Sequence, residues 1–278
     1  MFTEIGPGVY SVAHRFVDGK NGIVFGTRRA VAIDVCNYPD EGEAMATFIC
    51  DHGFPADRVI LTHGHGDHVL GGPVFAGGEV FAHVQTPAVM RRLLPRWGEH
   101  TGEGQDTATG RALWPTITFA GEARIDLGGK TLTIFSTPGH SEDSVCVYLE
   151  EDRVLFAGDT AVTGIVPAIG EGDGRQLEQS LARLMTLDIE TLVAGHGPVL
   201  QGKAIVSEWL EWLHGYLTGV RAHVRQVFSE NPRASNEVVD GVEFEYFIGE
   251  RLAVDQFNMP RRHRNTVLKI IMEERETA

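Results

Sequence analysis

The stretch Arg58-Val59-Ile60-Leu61-Thr62-His63-Gly64-His65-Gly66-Asp67-His68 decides the fold, because an apolar run leads directly into four potential metal ligands. The apolar run predicts a short buried strand. In an extended segment, residues two positions apart point to the same side, so His63 and His65 can face one ion together. Asp67 and His68 follow where the chain turns, and they can face a second ion. The pattern therefore predicts a site for two metal ions at the end of a strand.

Three residues further along the chain share this setting. His140, Asp159 and His196 each follow a predicted strand and are each preceded by glycine. The ends of strands are where α/β chains present their functional loops. Taken singly, each could be an ordinary buried histidine or turn aspartate, but together with the first cluster they indicate one metal centre. Imidazole and carboxylate ligands without thiolate suit zinc, and also iron or manganese.

Around these residues the chain alternates between strands and helices, which predicts an α/β protein with mixed sheets and outer helices. Residues 8–35 predict a strand meander with a hairpin around Thr27-Arg28-Arg29. Pro39 opens a helix that is expected to run to about Cys50. A long helical pattern covers residues 203–229, and a closing helix is expected over residues 264–274.

Residues 95–116 carry several glycines and little periodicity. A stretch of this length without secondary structure is typical of a functional loop, so a substrate-side flap is predicted here. Trp97, His100 and Trp114 could form an apolar wall for the substrate on that flap, and packing in the core is the alternative.

The C-terminal part of the chain lies outside the ligand motifs. We expect residues 1–202 to form a catalytic core, and residues 203–278 to form a helical segment that packs on it and selects the substrate. The one basic cluster of this segment is Arg261-Arg262-His263-Arg264. Arg261 and Arg264 are candidates for binding a substrate carboxylate or phosphate, and a solvated helix start is the alternative.

Composition and net charge limit the classes of partner that the protein is expected to bind. The net charge of −14 argues against nucleic acid and mildly against an anionic membrane. No apolar run is long enough to span a bilayer, and the first residues lack the pattern of a signal peptide. The 3 cysteines are too few for a disulfide framework, which predicts a reducing compartment, with the cytoplasm as the expected location. A small-molecule substrate is therefore the expected partner, and the oligomeric state is not predicted.

The motifs resemble those of the metallo-β-lactamase-fold hydrolases over roughly residues 5–200, in identity, order and local context. The resemblance implies a four-layer αβ/βα sandwich of two mixed sheets with outer helices, and a metal centre at one edge between the sheets. It implies two trios of ligands, which are His63, His65 and His140 for the first ion and Asp67, His68 and His196 for the second. Asp159 would bridge the two ions, and Asp34 would support the ligand loop by hydrogen bonding.

Two positions make the chain more similar to the glyoxalase II branch than to others in the family. His65 stands where the diiron oxygen reductases tend to carry a carboxylate, and Asp159 stands where the zinc β-lactamases typically carry cysteine or serine. However, residues 160–165 lack the Gly-Cys-Gly-Arg pattern of glutathione thioesterases and the tyrosine of acyl-homoserine lactonases. The subfamily therefore stays open.

The chemistry that follows is hydrolysis, in which a hydroxide bridging two divalent ions attacks an ester, thioester or lactone of a small molecule. Asp67 would orient the hydroxide or carry a proton. One alternative is a mononuclear iron dioxygenase of the persulfide type that uses only His63, His140 and Asp159. Another is a regulatory protein that keeps the metal pocket for a signalling ligand without turnover. Lactams are a further side substrate, because their hydrolysis uses the same apparatus.

Overall fold

The computed structural model describes residues 1–102, 104–169, 171–231, 233–234, 248, 252 and 258–276, without the side chains of residues 100 and 101. The first sheet has seven strands, which lie side by side in chain order. They are β1 (Phe2–Gly6), β2 (Val9–His14), β3 (Gly19–Phe25), β4 (Ala30–Ile33), β5 (Arg58–Ile60), β6 (Glu79–His83) and β7 (Ile117–Phe119).

Strands β1 to β4 are antiparallel, and β4 to β7 are parallel, so this sheet is mixed. The predicted meander and the hairpin between β3 and β4 are confirmed.

The second sheet has six strands in the order β13-β12-β11-β10-β9-β8. They are β8 (Glu122–Asp126), β9 (Thr131–Ser136), β10 (Val145–Leu149), β11 (Val154–Gly158), β12 (Thr191–Ala194) and β13 (Leu200–Gln201). Only β11 and β12 pair in parallel, so this sheet is also mixed.

Helices cover the outer faces of both sheets. They are α1 (Pro39–Asp51), α2 (Gly66–Val69), α3 (Thr86–Thr101), α4 (Gln105–Arg111), α5 (Gly174–Leu184), α6 (Lys203–Glu230) and α7 (Met259–Glu276). The predicted helix at Pro39 is confirmed, and the closing helix begins five residues earlier than expected, at Met259. Among the helices of the described residues, none is long and apolar enough to cross a membrane.

Three apolar cores hold these layers together. Between the sheets, Ile60 of the first sheet packs in one cluster with Phe156 of the second. Met45 of α1 belongs to the cluster on the outer face of the first sheet. Leu213 of α6 and Ile270 of α7 belong to the cluster on the outer face of the second sheet. The predicted four-layer α/β sandwich is confirmed.

The prediction of a loop over residues 95–116 is wrong for residues 95–101 and 105–111, which are helical, while residues 112–116 carry no helix or strand. Helix α3 continues through Pro95, and α4 follows after a short turn. Gly98 allows the two helices to approach closely, since a Cβ there would lie 3.0 Å from the side chain of Ala108. Trp97 packs against the outer core of the first sheet. These tertiary contacts outweigh the low helix propensity of proline and glycine, which is why local sequence suggested a loop.

Candidate metal centre

Four strands, two of them parallel neighbours, lead into the predicted ligands, and the ends of these strands meet at one edge of the sandwich. His63 lies after β5, His140 after β9, Asp159 after β11 and His196 after β12. The structure brings all the predicted ligands into three groups, within each of which the ligand atoms lie within 4.8 Å of one another. The groups are His63, His65 and His140; His63, His68 and Asp159; and Asp67, His68 and His196.

Asp159 lies between the two predicted trios. Its Oδ2 is 3.5 Å from Nε2 of His140 and 3.4 Å from Nε2 of His196. Its Oδ1 is 3.5 Å from Nε2 of His68. Asp67 approaches from the other side, with Oδ2 3.2 Å from Nε2 of His196. One carboxylate therefore faces ring nitrogens of both trios, which is the placement that a shared ligand needs.

Asp34 holds the ligand loop from beneath. Its Oδ1 accepts a hydrogen bond from the backbone N–H of Thr62 at 2.7 Å, and its Oδ2 accepts one from the hydroxyl of the same residue. The same Oδ2 lies 2.8 Å from Nδ1 of His68. Asp34 adopts a left-handed φ of 57°, a conformation that costs energy in a residue with a side chain. These hydrogen bonds fix the ring of His68 and offset that strain.

Two further rings are fixed by backbone carbonyls. Nδ1 of His140 donates to the carbonyl of Ala168 at 2.7 Å, and Nδ1 of His196 donates to the carbonyl of Val17 at 3.0 Å. A carbonyl accepts only from N–H, so each Nδ1 carries the hydrogen and each Nε2 is left to face the site. Hydrogen bonds of this kind orient metal-binding histidines in general.

The site contains buried polar atoms that a metal would satisfy. Among the residues that the structure describes, Nε2 of His63, Nε2 of His68 and Oδ1 of Asp159 are buried without a hydrogen-bond partner. Leaving such atoms unpaired is costly, and native structures seldom do so without a reason. Imidazole and carboxylate lone pairs converging on one point fit a divalent cation.

The histidines of the site divide into one set whose pKa is lowered and another whose pKa is raised. Burial and then the charge of His140 lower the pKa of His65 to about 3. Burial also lowers the pKa of His196, but the charge of Asp159 outweighs burial and raises it to about 10. At His68, likewise, the charges of Asp67 and Asp34 outweigh burial and raise the pKa well above its usual value. The protein without metal therefore holds protons at His68 and His196 at neutral pH.

Metal binding at neutral pH is expected to release protons, since a ligating histidine must be neutral. The pKa of His196 is raised to about 10, so His196 is protonated in the metal-free protein at lower pH, and the metal must displace that proton. The apparent affinity for zinc should therefore rise as the pH is raised from 6 towards 10. Calorimetric titration in two buffers of different ionisation enthalpy measures the protons released. Zinc binding with no proton release and no dependence on pH would contradict these protonation states.

Glycine at position 195 leaves room for Asp159. A Cβ at Gly195 would overlap Oδ1 of Asp159 and would lie 2.9 Å from the backbone of Gly158. Gly195→Ala is therefore expected to displace the shared carboxylate and to lower metal affinity by about 10- to 100-fold, as loss of ligand support does elsewhere. Gly215→Ala is the matched control, because a Cβ there meets nothing within 4 Å. Equal metal affinities for the two variants, measured by competition with a chelator, would show that Asp159 is not held in this way.

A cavity of about 330 Å³ opens beside His65 and His140. Leu93, Trp97 and Ala168 form its apolar part, and Arg96 and Glu171 complete the lining. An adjoining cavity of about 480 Å³ shares Arg96 and Glu171 and is otherwise polar. Phe16 lies against Trp97, with ring centroids 5.4 Å apart. Trp97 thus lies on a cavity wall, and its predicted contact with a substrate stays a prediction.

Of the other predicted substrate contacts, Trp114, Arg261 and Arg264 do not line these two cavities. Trp114 packs against the outer core of the first sheet, and its indole N–H donates to the carbonyl of Thr109 at 3.3 Å. Arg261 and Arg264 are both exposed. The side chain of His100 lies outside the described residues, so its predicted contact stays a prediction.

Two residues near the site were not predicted. His14, at the end of β2, is buried, and neither of its ring nitrogens has a hydrogen-bond partner among the described residues. Burial followed by the charge of His68 lowers the pKa of His14 to about 3. Arg262, in the first turn of α7, lies within electrostatic reach of Asp159 and Asp67. His14 carries no local motif, and Arg262 could not be singled out within its basic cluster, because each reaches the site only through the packing of distant elements.

Comparison with known families decides the relationship. The model of the metallo-beta-lactamase superfamily matches residues 47–196, which make up more than half of the chain. This chain belongs to the metallo-β-lactamase superfamily. The sequence-based recognition is therefore confirmed, and the α/β sandwich is the fold of this superfamily.

The matched range ends at His196, so the superfamily model spans all the predicted metal ligands. Among curated members of the superfamily, the chain is similar to a hydroxyacylglutathione hydrolase of Methylobacterium sp. (strain 4-46). The two are 30% identical over 175 residues, which cover 63% of this chain and 60% of that protein. A hydroxyacylglutathione hydrolase of Francisella tularensis subsp. novicida (strain U112) is 25% identical over 172 residues, covering 60% of this chain and 57% of the relative. The match thus spans about 60% of the length of these relatives.

An atrochrysone carboxyl ACP thioesterase of Passalora fulva is 32% identical over 192 residues, covering 66% of this chain and 50% of the thioesterase. Among solved structures, a metallo-beta-lactamase family protein from Thermus thermophilus matches with a TM-score of 0.68 and 19% identity, covering 98% of this chain and 95% of that one. A sec-alkylsulfatase from Pseudomonas sp. matches with a TM-score of 0.72 and 17% identity, covering 98% of this chain and 50% of the sulfatase. At these identities the two structures show a shared fold.

Proposed function

We propose that this protein is a two-metal hydrolase of an ester, thioester or lactone bond in a small molecule. The observation that carries the proposal is the placement of Asp159 between two trios of imidazole and carboxylate atoms. Its carboxylate lies within 3.5 Å of a ring nitrogen of His140 on one side and of His196 on the other. A carboxylate shared in this way suits two ions held close together.

The ligands are assigned as two trios and one shared residue. They are His63, His65 and His140 for one ion, Asp67, His68 and His196 for the other, and Asp159 for both. These donors suit zinc, with iron and manganese as alternatives. Held by these residues, such ions would supply Lewis-acid chemistry, which polarises a substrate carbonyl and lowers the pKa of a bound water towards neutrality. The completeness of the second trio favours this assignment over a mononuclear iron dioxygenase.

Asp67 is assigned to proton handling. Its carboxylate is buried, with Oδ2 3.2 Å from Nε2 of His196. As an ionised carboxylate beside the metal centre, it could accept a hydrogen bond from the attacking water. A carboxylate in that position can also hold the proton that the water loses.

The 330 Å³ cavity is assigned to the organic part of the substrate. It borders His65 and His140, and the side chains of Leu93 and Trp97 give it an apolar wall. A volume of this size fits a small molecule. We further propose that α7, the described helix that closes the predicted segment 203–278, covers the site, because its Thr266 donates to the carbonyl of Pro167 at 3.0 Å, next to the cavity residue Ala168.

Thioesters are the first class to test. One relative is named a thioesterase, and two others are named hydrolases of hydroxyacylglutathione. Esters and lactones offer a carbonyl of similar geometry to the same site, and lactams are a slower class because the amide carbonyl is less reactive.

A hydrolysis panel tests the proposal. Protein loaded with zinc, iron or manganese is assayed against a small thioester, an aryl ester, a lactone and a lactam, before and after treatment with a chelator. We expect turnover of at least one substrate that is lost on chelation and restored by the metal. Metal-loaded protein that cleaves none of them, while taking up oxygen with a persulfide, would contradict the hydrolase and favour the dioxygenase.

A further inference from the structure

Arg262 is a partly buried cation that lacks a partner among the residues that the structure describes. Its Nε is buried without a hydrogen bond, and its guanidinium makes no ion pair within that part of the chain. By contrast, Arg221 and Arg225 on α6 are both paired with glutamates of α7. A buried N–H of a cation left without a partner is costly, so a site that keeps one has a use for it.

The position of α7 turns Arg262 towards the metal centre. Thr266, one helical turn later on the same face, donates to the carbonyl of Pro167. The next residue, Ala168, accepts the hydrogen bond that orients His140. This face of α7 therefore lies on the loop that supports a predicted ligand.

Electrostatics agrees with this placement. Burial lowers the pKa of Arg262, while the negative charges of Asp159 and Asp67 act to raise it. The two carboxylates that act on the guanidinium are thus the shared residue and a member of the second trio. Arg261, one residue earlier, is exposed because it lies about 100° further round the helix.

Metal ions bound at the site would change the net charge around the guanidinium of Arg262. Once Asp67 and Asp159 are engaged by metal ions, their charge no longer compensates the guanidinium. An anion brought by the ligand would compensate the guanidinium in their place, since a guanidinium presents paired N–H donors that match a carboxylate or another oxyanion.

We propose that Arg262 is a specificity-determining residue that binds an anionic group of the substrate beside the scissile bond. The inference rests on the proposed hydrolase function and names its substrate class: esters or thioesters that carry a carboxylate or another oxyanion. The apolar part of such a substrate would occupy the 330 Å³ cavity next to His65 and His140, and its anionic group would extend from there to Arg262.

The kinetic test compares 4-nitrophenyl hemisuccinate with the uncharged 4-nitrophenyl pentanoate. Arg262→Gln should lower kcat/KM for the hemisuccinate by about 10- to 100-fold, chiefly through KM, as expected for loss of a charge-assisted hydrogen bond. It should leave the pentanoate within about 2-fold of wild type on the same grounds. Arg261→Gln is the matched control, since it removes an exposed charge from the same helical turn. Equal losses on both esters, or no loss on either, would overturn the proposal.

A binding measurement separates this inference from the proposed function. Calorimetry on metal-loaded protein compares the binding affinity for succinate with that for the uncharged succinamide. Inorganic phosphate is titrated as well, to test whether other oxyanions bind. Wild type should bind succinate more tightly than succinamide, and Arg262→Gln should lose the difference while keeping its metal content. If Arg262→Gln fails to fold, Arg262→Lys replaces it, and wild type that binds succinamide as tightly as succinate still overturns the proposal.

The outcomes remain distinguishable when only one idea fails. Succinate binding that depends on Arg262, without hydrolysis of any ester, would refute the hydrolase and keep the anion site. Hydrolysis without any preference for the anionic ester would keep the hydrolase and refute the role of Arg262.

Discussion

Asp159→Ala is expected to abolish metal binding and hydrolysis together. The carboxylate of Asp159 is buried and lies 3.4–3.5 Å from ring nitrogens of His68, His140 and His196. Its loss leaves each proposed ion with one ligand fewer and removes a negative charge from a site that would gather two cations. Loss of an outer supporting group lowers metal affinity by about 10- to 100-fold, and we expect a larger decrease here.

Asp34→Asn is the graded comparison for that variant. Asp34 supports His68 and Thr62 from outside the ligand cluster, so its loss should weaken metal affinity within that 10- to 100-fold range and leave the ligand set intact. Metal content by elemental analysis and thermal melting together separate loss of metal from loss of fold. A folded Asp159→Ala protein that binds metal as wild type does would show that this carboxylate is not a ligand.

Arg221→Met is expected to lower the free energy of unfolding by about 3–5 kcal/mol, because it removes the buried cation from an ion-pair network. Arg221 is buried in α6, and its guanidinium pairs with Glu178 of α5 at 2.7 Å. It also pairs with Glu273 and Glu274 of α7, at 2.8 and 2.7 Å. One cation therefore joins three helices on the outer face of the second sheet.

Arg225→Met is the matched control for Arg221→Met. Arg225 contacts Glu274 at 2.7 Å, but 59% of its side chain is exposed, so its removal should cost at most about 1 kcal/mol. Denaturant unfolding of the two variants measures the difference. If both variants were destabilised equally, the buried network would not be what holds α7 in place, and the support of Arg262 would need another explanation.

The metal ligands could be predicted because short stretches of sequence identify them. The residues from His63 to His68 carry their own spacing, and glycine marks His140, Asp159 and His196 at the ends of strands. The family resemblance supplied the role of Asp34, which the observed hydrogen bonds to Thr62 and His68 make physically clear. Sheet order could not be predicted, since it depends on pairings between segments far apart in the chain.

The surroundings of the site were harder to predict for the same reason. Arg261, Arg262 and Arg264 are equivalent by composition, and only the packing of Thr266 on Pro167 decides which of them turns inward. His14 lies on a strand with no ligand motif and reaches the site through the register of β2 with β3. The helices within residues 95–116 were not predicted, because their proline and glycines have low helix propensity. The tertiary contacts that stabilise these helices cannot be read from the local sequence.

The most direct test of the two-metal account is the number of metal ions per chain, measured by elemental analysis during stepwise reloading of chelator-treated protein. The account predicts saturation at about two ions per chain, with hydrolysis that rises to its maximum only as the second ion binds. Full hydrolytic activity at one ion per chain, with no further uptake, would contradict it.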